Sequence, residues 1–185
     1  MSLPNMLLGL PEISIPNLFS LNVDSQKDSI HIQMLMKTSC MTTTSMPETT
    51  TILKSILPSI LVSRCYNDRN IPFADEVMST ELGHLFEHIL LEYLCILKIA
   101  KGAKEAIFNG WTDWDWGKEP SGTFHITIDI GQDDEDIAGE GIQQTIKLFK
   151  MILNQKDPIK SYPEQFSGEN QLLLLSKNIN YSEQL

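Results

Sequence analysis

The sequence predicts an α+β fold: a small sheet packed by two or three helices in a two-layer sandwich. Three observations carry this. Residues 122–130 alternate strictly, with Phe124, Ile126, Ile128 and Ile130 set against Thr123, His125, Thr127 and Asp129. Residues 29–37 alternate at their start in the same way. Between them, Leu82, Leu85, Phe86, Ile89, Leu90, Tyr93, Leu94 and Leu97 repeat at helical spacing. A length of 185 residues suits one domain able to bury a core without covalent staples.

In chain order, residues 1–24 carry Pro4, Pro11 and Pro16 and read as an irregular or extended arm. The strand at 29–37 opens a domain expected to span 25–154. Residues 38–51 are rich in Thr and Ser and include Pro47, so they read as a loop. A short helix follows at 50–61, which Pro58 bends or ends. Residues 62–72 connect, and 73–78 suit a helical turn. Ser79 or Thr80 is the expected cap of the main helix, which runs to about Lys101 and stops at Gly102. Residues 108–120, with Trp111, Trp114 and Trp116 among Asp113 and Asp115, read as a loop or short hairpin. After the strand at 122–130, the acidic run from Asp133 to Asp136 opens a helix to about Leu153, where its charge suits the positive helix end. Residues 155–185 form a tail whose run from Leu172 to Leu175 is expected to dock on the body. The strand at 122–130 is expected to pair with the one at 29–37.

The main helix carries His84, Glu87 and His88 as H-x-x-E-H. A helix advances about 100° per residue, so His84 and His88 project about 40° apart on one face, with Glu87 about 60° to the other side of His84. Two neutral imidazoles can hold zinc, and a nearby carboxylate can take a proton from water activated by the metal. This is the inverted zincin arrangement, with His84 and His88 as ligands and Glu87 as general base. Glu92, one turn further on, offers another ligand. The alternative is a hydrogen-bonded network of histidines and glutamates at the core boundary, since a buried helix must satisfy these groups one way or another. His31 and His125 fall on strands, and nothing in the spacing places them at the motif.

A net charge of −10 and a pI near 4.8 argue against a nucleic-acid-binding surface. Cys40, Cys65 and Cys95 are odd in number and widely spaced, which argues against a disulfide framework or a cysteine zinc site and fits a reducing compartment. The N-terminus lacks a basic n-region, and no apolar run approaches the length of a membrane span. A cytoplasmic location without membrane contact is therefore expected.

Several segments together resemble the N-terminal domain of cyanophycin synthetase. They are Pro16-Asn17-Leu18-Phe19-Ser20, the run from Leu57 to Cys65, the run from Thr80 to Glu92, and Glu119-Pro120-Ser121-Gly122-Thr123-Phe124, in matching order over roughly residues 16–154. The resemblance implies a compact α+β domain that contacts the polymer and in some members carries a metal-dependent site that trims it. The ATP-grasp and Mur-ligase-like domains that perform synthesis in that family are not in this sequence. Carried over, His84 and His88 become zinc ligands, Glu87 the base and Glu92 a further ligand. Where the family tends to have an arginine-bearing loop, this chain has Trp111-Thr112-Asp113-Trp114-Asp115-Trp116. Asp113, Asp115 and Trp114 therefore point to a cationic ligand, through charge pairing and stacking on guanidinium groups. The expected function is a metal-dependent peptide or amide hydrolase acting on, or binding, a cyanophycin-like or other arginine-bearing polypeptide. Its rival is a non-catalytic polymer- or protein-binding module, and self-association is compatible with either.

Overall fold

The computed structural model describes residues 12–63, 65 and 71–154. The expected docking of the C-terminal leucine run falls outside these residues. The described chain forms five strands and four α-helices: β1 (Ile13–Ile15), β2 (Phe19–Gln26), β3 (Ser29–Met36), α1 (Thr49–Ile56), α2 (Phe73–Glu76), α3 (Leu82–Ala100), β4 (Gly110–Asp113), β5 (Thr123–Asp129) and α4 (Glu135–Asn154). A short 3₁₀ turn, Pro58–Val62, follows α1, so Pro58 separates the two helical pieces.

The strands make one antiparallel sheet in the order β1-β2-β3-β5-β4. The expected pairing of the two alternating segments is present, with Ile30 opposite Ile128 and Ile32 opposite Ile126. The N-terminal arm reads differently. Its residues from Ile13 onward supply β1 and β2, and a boundary at residue 24 would cut through β2. Phe19, Leu21 and Val23 alternate with Ser20, Asn22 and Asp24, and the three apolar side chains are buried. Asn17 turns the chain between the two strands with φ of 62°, a left-handed conformation that Asn tolerates better than most residues.

One face of the sheet is covered by α3 and α4, giving the expected two-layer α+β architecture. Phe19 of β2, Phe86 of α3 and Phe149 of α4 meet edge to face at centroid separations of 5.3–6.3 Å and tie the layers together. The helix α3 ends as predicted, with Gly102 at φ of 97° and its N–H bonded to the Ile99 carbonyl. Its start differs. Glu81 is the cap position and makes no side-chain capping bond, while the Thr80 hydroxyl lies against the His84 ring. The acidic start of α4 meets the basic end of α3: Lys98 pairs with Asp134 at 2.6 Å, and Lys101 pairs with Asp136. No helix among the described residues is long and apolar enough to cross a membrane.

A candidate metal centre on the motif helix

The helix α3 is buried on most of its circumference, so each polar side chain of its first turns has a partner that can be named. His84 and His88, one turn apart, point toward α2 and the segment containing Cys65. The ring of His88 stacks on Phe73 at 4.0 Å with 19° between planes, and that of His84 meets the same phenylalanine edge-on at 6.3 Å. The two Nε2 atoms lie 3.1 Å apart, and the Cys65 thiol sits 3.3 Å from His84 Nε2. Ligand atoms of Cys65, His84 and His88 all fall within 4.8 Å of one another, a group that can hold a metal ion. Cys65 is 4 % exposed and His88 7 %, while His84 is half-buried.

The electrostatics suit ligation. Burial pushes His88 down to about 3, with His84 acting in the same direction. Burial also lowers His84, against the opposing pull of Glu76 and Glu81. Both rings are therefore neutral at pH 7 and keep a lone pair. Thr80 Oγ1 lies 2.8 Å from His84 Nδ1. In the tautomer with the proton on Nδ1, that proton goes to Thr80 and Nε2 is left facing Cys65 and His88. An outer hydrogen bond of this kind orients a ligating histidine.

Neither glutamate expected at this centre belongs to the group of mutually close ligand atoms. Glu87, 4 % exposed, points toward the sheet edge, where Thr112 Oγ1 donates to its Oε2 at 2.6 Å. Burial pushes this carboxyl up to about 7, with the Thr112 hydroxyl working in the opposite direction. Glu92 lies outside the group of mutually close ligand atoms. It shares the projected face of His88, but a further turn of helix carries it about 6 Å along the axis, toward Cys95. Burial raises the pKa of Glu92, and burial followed by the Glu92 charge pushes the Cys95 thiol up to about 12.

The third close side chain, Cys65, had no spacing signal. It lies 19 residues before His84 and is brought in by the fold. The tryptophan segment is split by the strand alternation of β4. Thr112 faces α3, so Trp111 and Asp113 lie on the open face of the sheet, and both are exposed. Trp114 turns back to meet Phe124 at 5.7 Å but stays 38 % exposed, and Asp115 pairs with Lys118 at 2.6 Å. Trp116 packs on the core and donates its indole N–H to the Thr123 carbonyl. Asp113, Trp114 and Asp115 thus do not converge on the histidines. His31 and His125 also belong to the open face: His31 lies against Ser29 and Thr127, and His125 pairs with Glu119 at 2.6 Å.

Comparison of the chain with protein-family models, curated proteins and solved structures returns no match. What fold and site define is an α+β domain with a buried Cys-His-His group capable of holding a metal.

Proposed function

We propose that this chain is a zinc-dependent hydrolase of peptide or amide bonds, with Cys65, His84 and His88 as the metal ligands and Glu87 as the general base. The observation that carries the reading is the convergence of one thiol and two neutral imidazoles within 4.8 Å, with His84 oriented by Thr80. Three protein ligands are the number found in catalytic zinc sites, where the fourth position is left for water or substrate. Zinc held there supplies Lewis acidity, acidifying water and polarising a scissile carbonyl.

The remaining work falls to the chain's own groups. Glu87 lies three residues after His84 and directly before His88 on α3, and Thr112 donates to one of its oxygens. Its other oxygen accepts a proton from water as the water oxygen adds to the amide carbon. When the C–N bond breaks, Glu87 returns that proton to the leaving amine. The substrate class is a polypeptide bearing cationic side chains, of the cyanophycin-like kind suggested by the sequence resemblance. Exposed Asp113 and the net charge of −10 support that choice.

One observation favours the rival reading of a non-catalytic module with a structural metal: Cys65 and His88 are almost wholly buried. The two readings separate at Glu87. In the hydrolase, Glu87→Gln keeps the metal and loses turnover of arginine-bearing peptides, whereas His84→Ala loses both. Full loss of metal in Glu87→Gln would make Glu87 a ligand. Absence of turnover by the metal-loaded wild-type chain on such peptides would favour the structural module.

A further inference from the structure

The strand β4 ends the sheet, and its pairing register determines which of its backbone groups face outward. The Asp129 N–H donates to the Asn109 carbonyl at 2.9 Å. In an antiparallel ladder the residues alternate between bonded and non-bonded pairs. Trp111 opposite Thr127 and Asp113 opposite His125 are therefore the bonded pairs, and Gly110 and Thr112 turn their N–H and C=O groups away from β5. The far side of the sheet obeys the same parity, since the Ile130 N–H donates to Asp28 and the Met36 N–H to Gly122. Among the described residues, no strand lies beyond β4.

Such an edge templates another strand. Here it runs beside the motif helix: Thr112 holds Glu87, and a Cβ on Gly110 would stand 3.3 Å from Glu87 Cγ. On the open face the same strand presents Trp111, 51 % exposed, and Asp113. We propose that the β4 edge takes up an extended, cationic polypeptide as a sixth antiparallel strand, which Gly110 and Thr112 hold by its backbone alongside the motif helix. This deepens the hydrolase reading by specifying how its substrate is recognised, and it rests on that reading for the substrate's fate.

The geometry divides the bound peptide in two. Residues paired with Gly110 and Thr112 direct their N–H groups at β4 and their side chains to the helix face. The alternate residues direct theirs to the open face, beside Trp111 and Asp113. A cation at those alternate positions meets an aromatic ring and a carboxylate. A second copy of the chain is a poor occupant. Four edge residues give far less than the roughly 1,200–2,000 Å² of a stable interface, and each copy carries a charge of −10.

The test uses the full chain with its metal removed by a chelator, its fold checked by circular dichroism, and a capped heptapeptide of alternating valine and arginine. Binding is read from tryptophan fluorescence and calorimetry. Thr112→Pro deletes an outward N–H that β5 does not use, and should weaken binding at least about tenfold. Thr112→Val keeps that N–H and loses only the hydroxyl, so it should bind at least about tenfold more tightly than Thr112→Pro. Peptide N-methylated at its valines should lose binding, and peptide N-methylated at its arginines should keep it. Equal behaviour of the two methylated peptides, no binding of the parent peptide, or a dimer that Thr112→Pro converts to monomer would each overturn the proposal. Zinc content is measured separately, so failure here leaves the metal centre standing, and loss of the metal centre leaves edge binding measurable.

Discussion

Gly83 lies between the first turn of the motif helix and the sheet, and replacing it with alanine probes how closely α3 is seated. A Cβ there would stand 2.5 Å from both Cγ and Cδ1 of Phe124 and 2.8 Å from its Cβ. Ordinary carbon contacts begin near 3.4 Å, so a gap approaching an ångström must open. The ring cannot swing away cheaply. Phe124 is fully buried and stands edge-on to Trp114 at 5.7 Å and Trp116 at 5.5 Å. Overpacking of this kind costs about 1–3 kcal/mol, and the better helix propensity of alanine returns up to about 1 kcal/mol. A net loss of about 1–2 kcal/mol is expected, which lowers Tm by roughly 3–8 °C for a domain of this size. The assay is thermal and urea unfolding followed by far-ultraviolet circular dichroism. Repeating Gly83→Ala in a Phe124→Leu background should shrink the loss, since the smaller side chain makes room. An unchanged or raised Tm for Gly83→Ala, or an undiminished loss in the double variant, would refute this account of helix–sheet packing.

Three further outcomes follow from individual contacts. Thr80→Val removes the oxygen beside His84 Nδ1 and should weaken zinc binding by about 10–100-fold with little change in the Tm of the metal-free chain; unchanged affinity in a competitive chelator titration would show that Thr80 does not orient the ring. With its pKa pushed up to about 12, Cys95 should alkylate at pH 8 on the order of a thousandfold more slowly than an ordinary thiol; mass-spectrometric mapping that finds it modified as fast as half-exposed Cys40 would contradict its environment. Lys98→Met removes the ammonium that faces both Asp134 and the Phe108 ring, strands the nearly buried Asp134, and should cost about 0.5–1 kcal/mol at low salt; a loss that does not shrink at 1 M salt, where the Debye length is about 3 Å, would rule out an electrostatic origin.

The sheet and helix layer were legible where periodicity was long and uninterrupted. β3, β5 and α3 fall where alternation or helical spacing places them, and α4 follows the acidic run. The strand β2 is equally regular over Phe19 to Asp24, but three prolines upstream argue for an irregular or extended arm outside the domain, whereas Pro16 marks a turn between two strands of the sheet. At the site, periodicity could bring His84 and His88 together because their relation lies within one helix. It could not find Cys65, whose approach depends on how the chain returns past α2. It also treated the first turns of α3 as a single polar face. The fold divides them, sending the histidines toward Phe73 and Glu87 toward Thr112. The tryptophan segment reads in sequence as a loop or short hairpin; within it, alternation along β4 sends Thr112 to the helix face and Trp111 and Asp113 to the open face.

Whether Cys65, His84 and His88 form one metal centre is decided by metal stoichiometry. The chain is purified without chelators, and zinc is measured by elemental analysis for wild type, Cys65→Ser, His84→Ala and His88→Ala, each checked for folding by circular dichroism. About one zinc per wild-type chain is expected, with most of it lost in each folded variant. A wild-type chain that takes up no zinc even when zinc is supplied, or a Cys65→Ser chain that retains it fully, would mean that these three side chains do not form a metal centre.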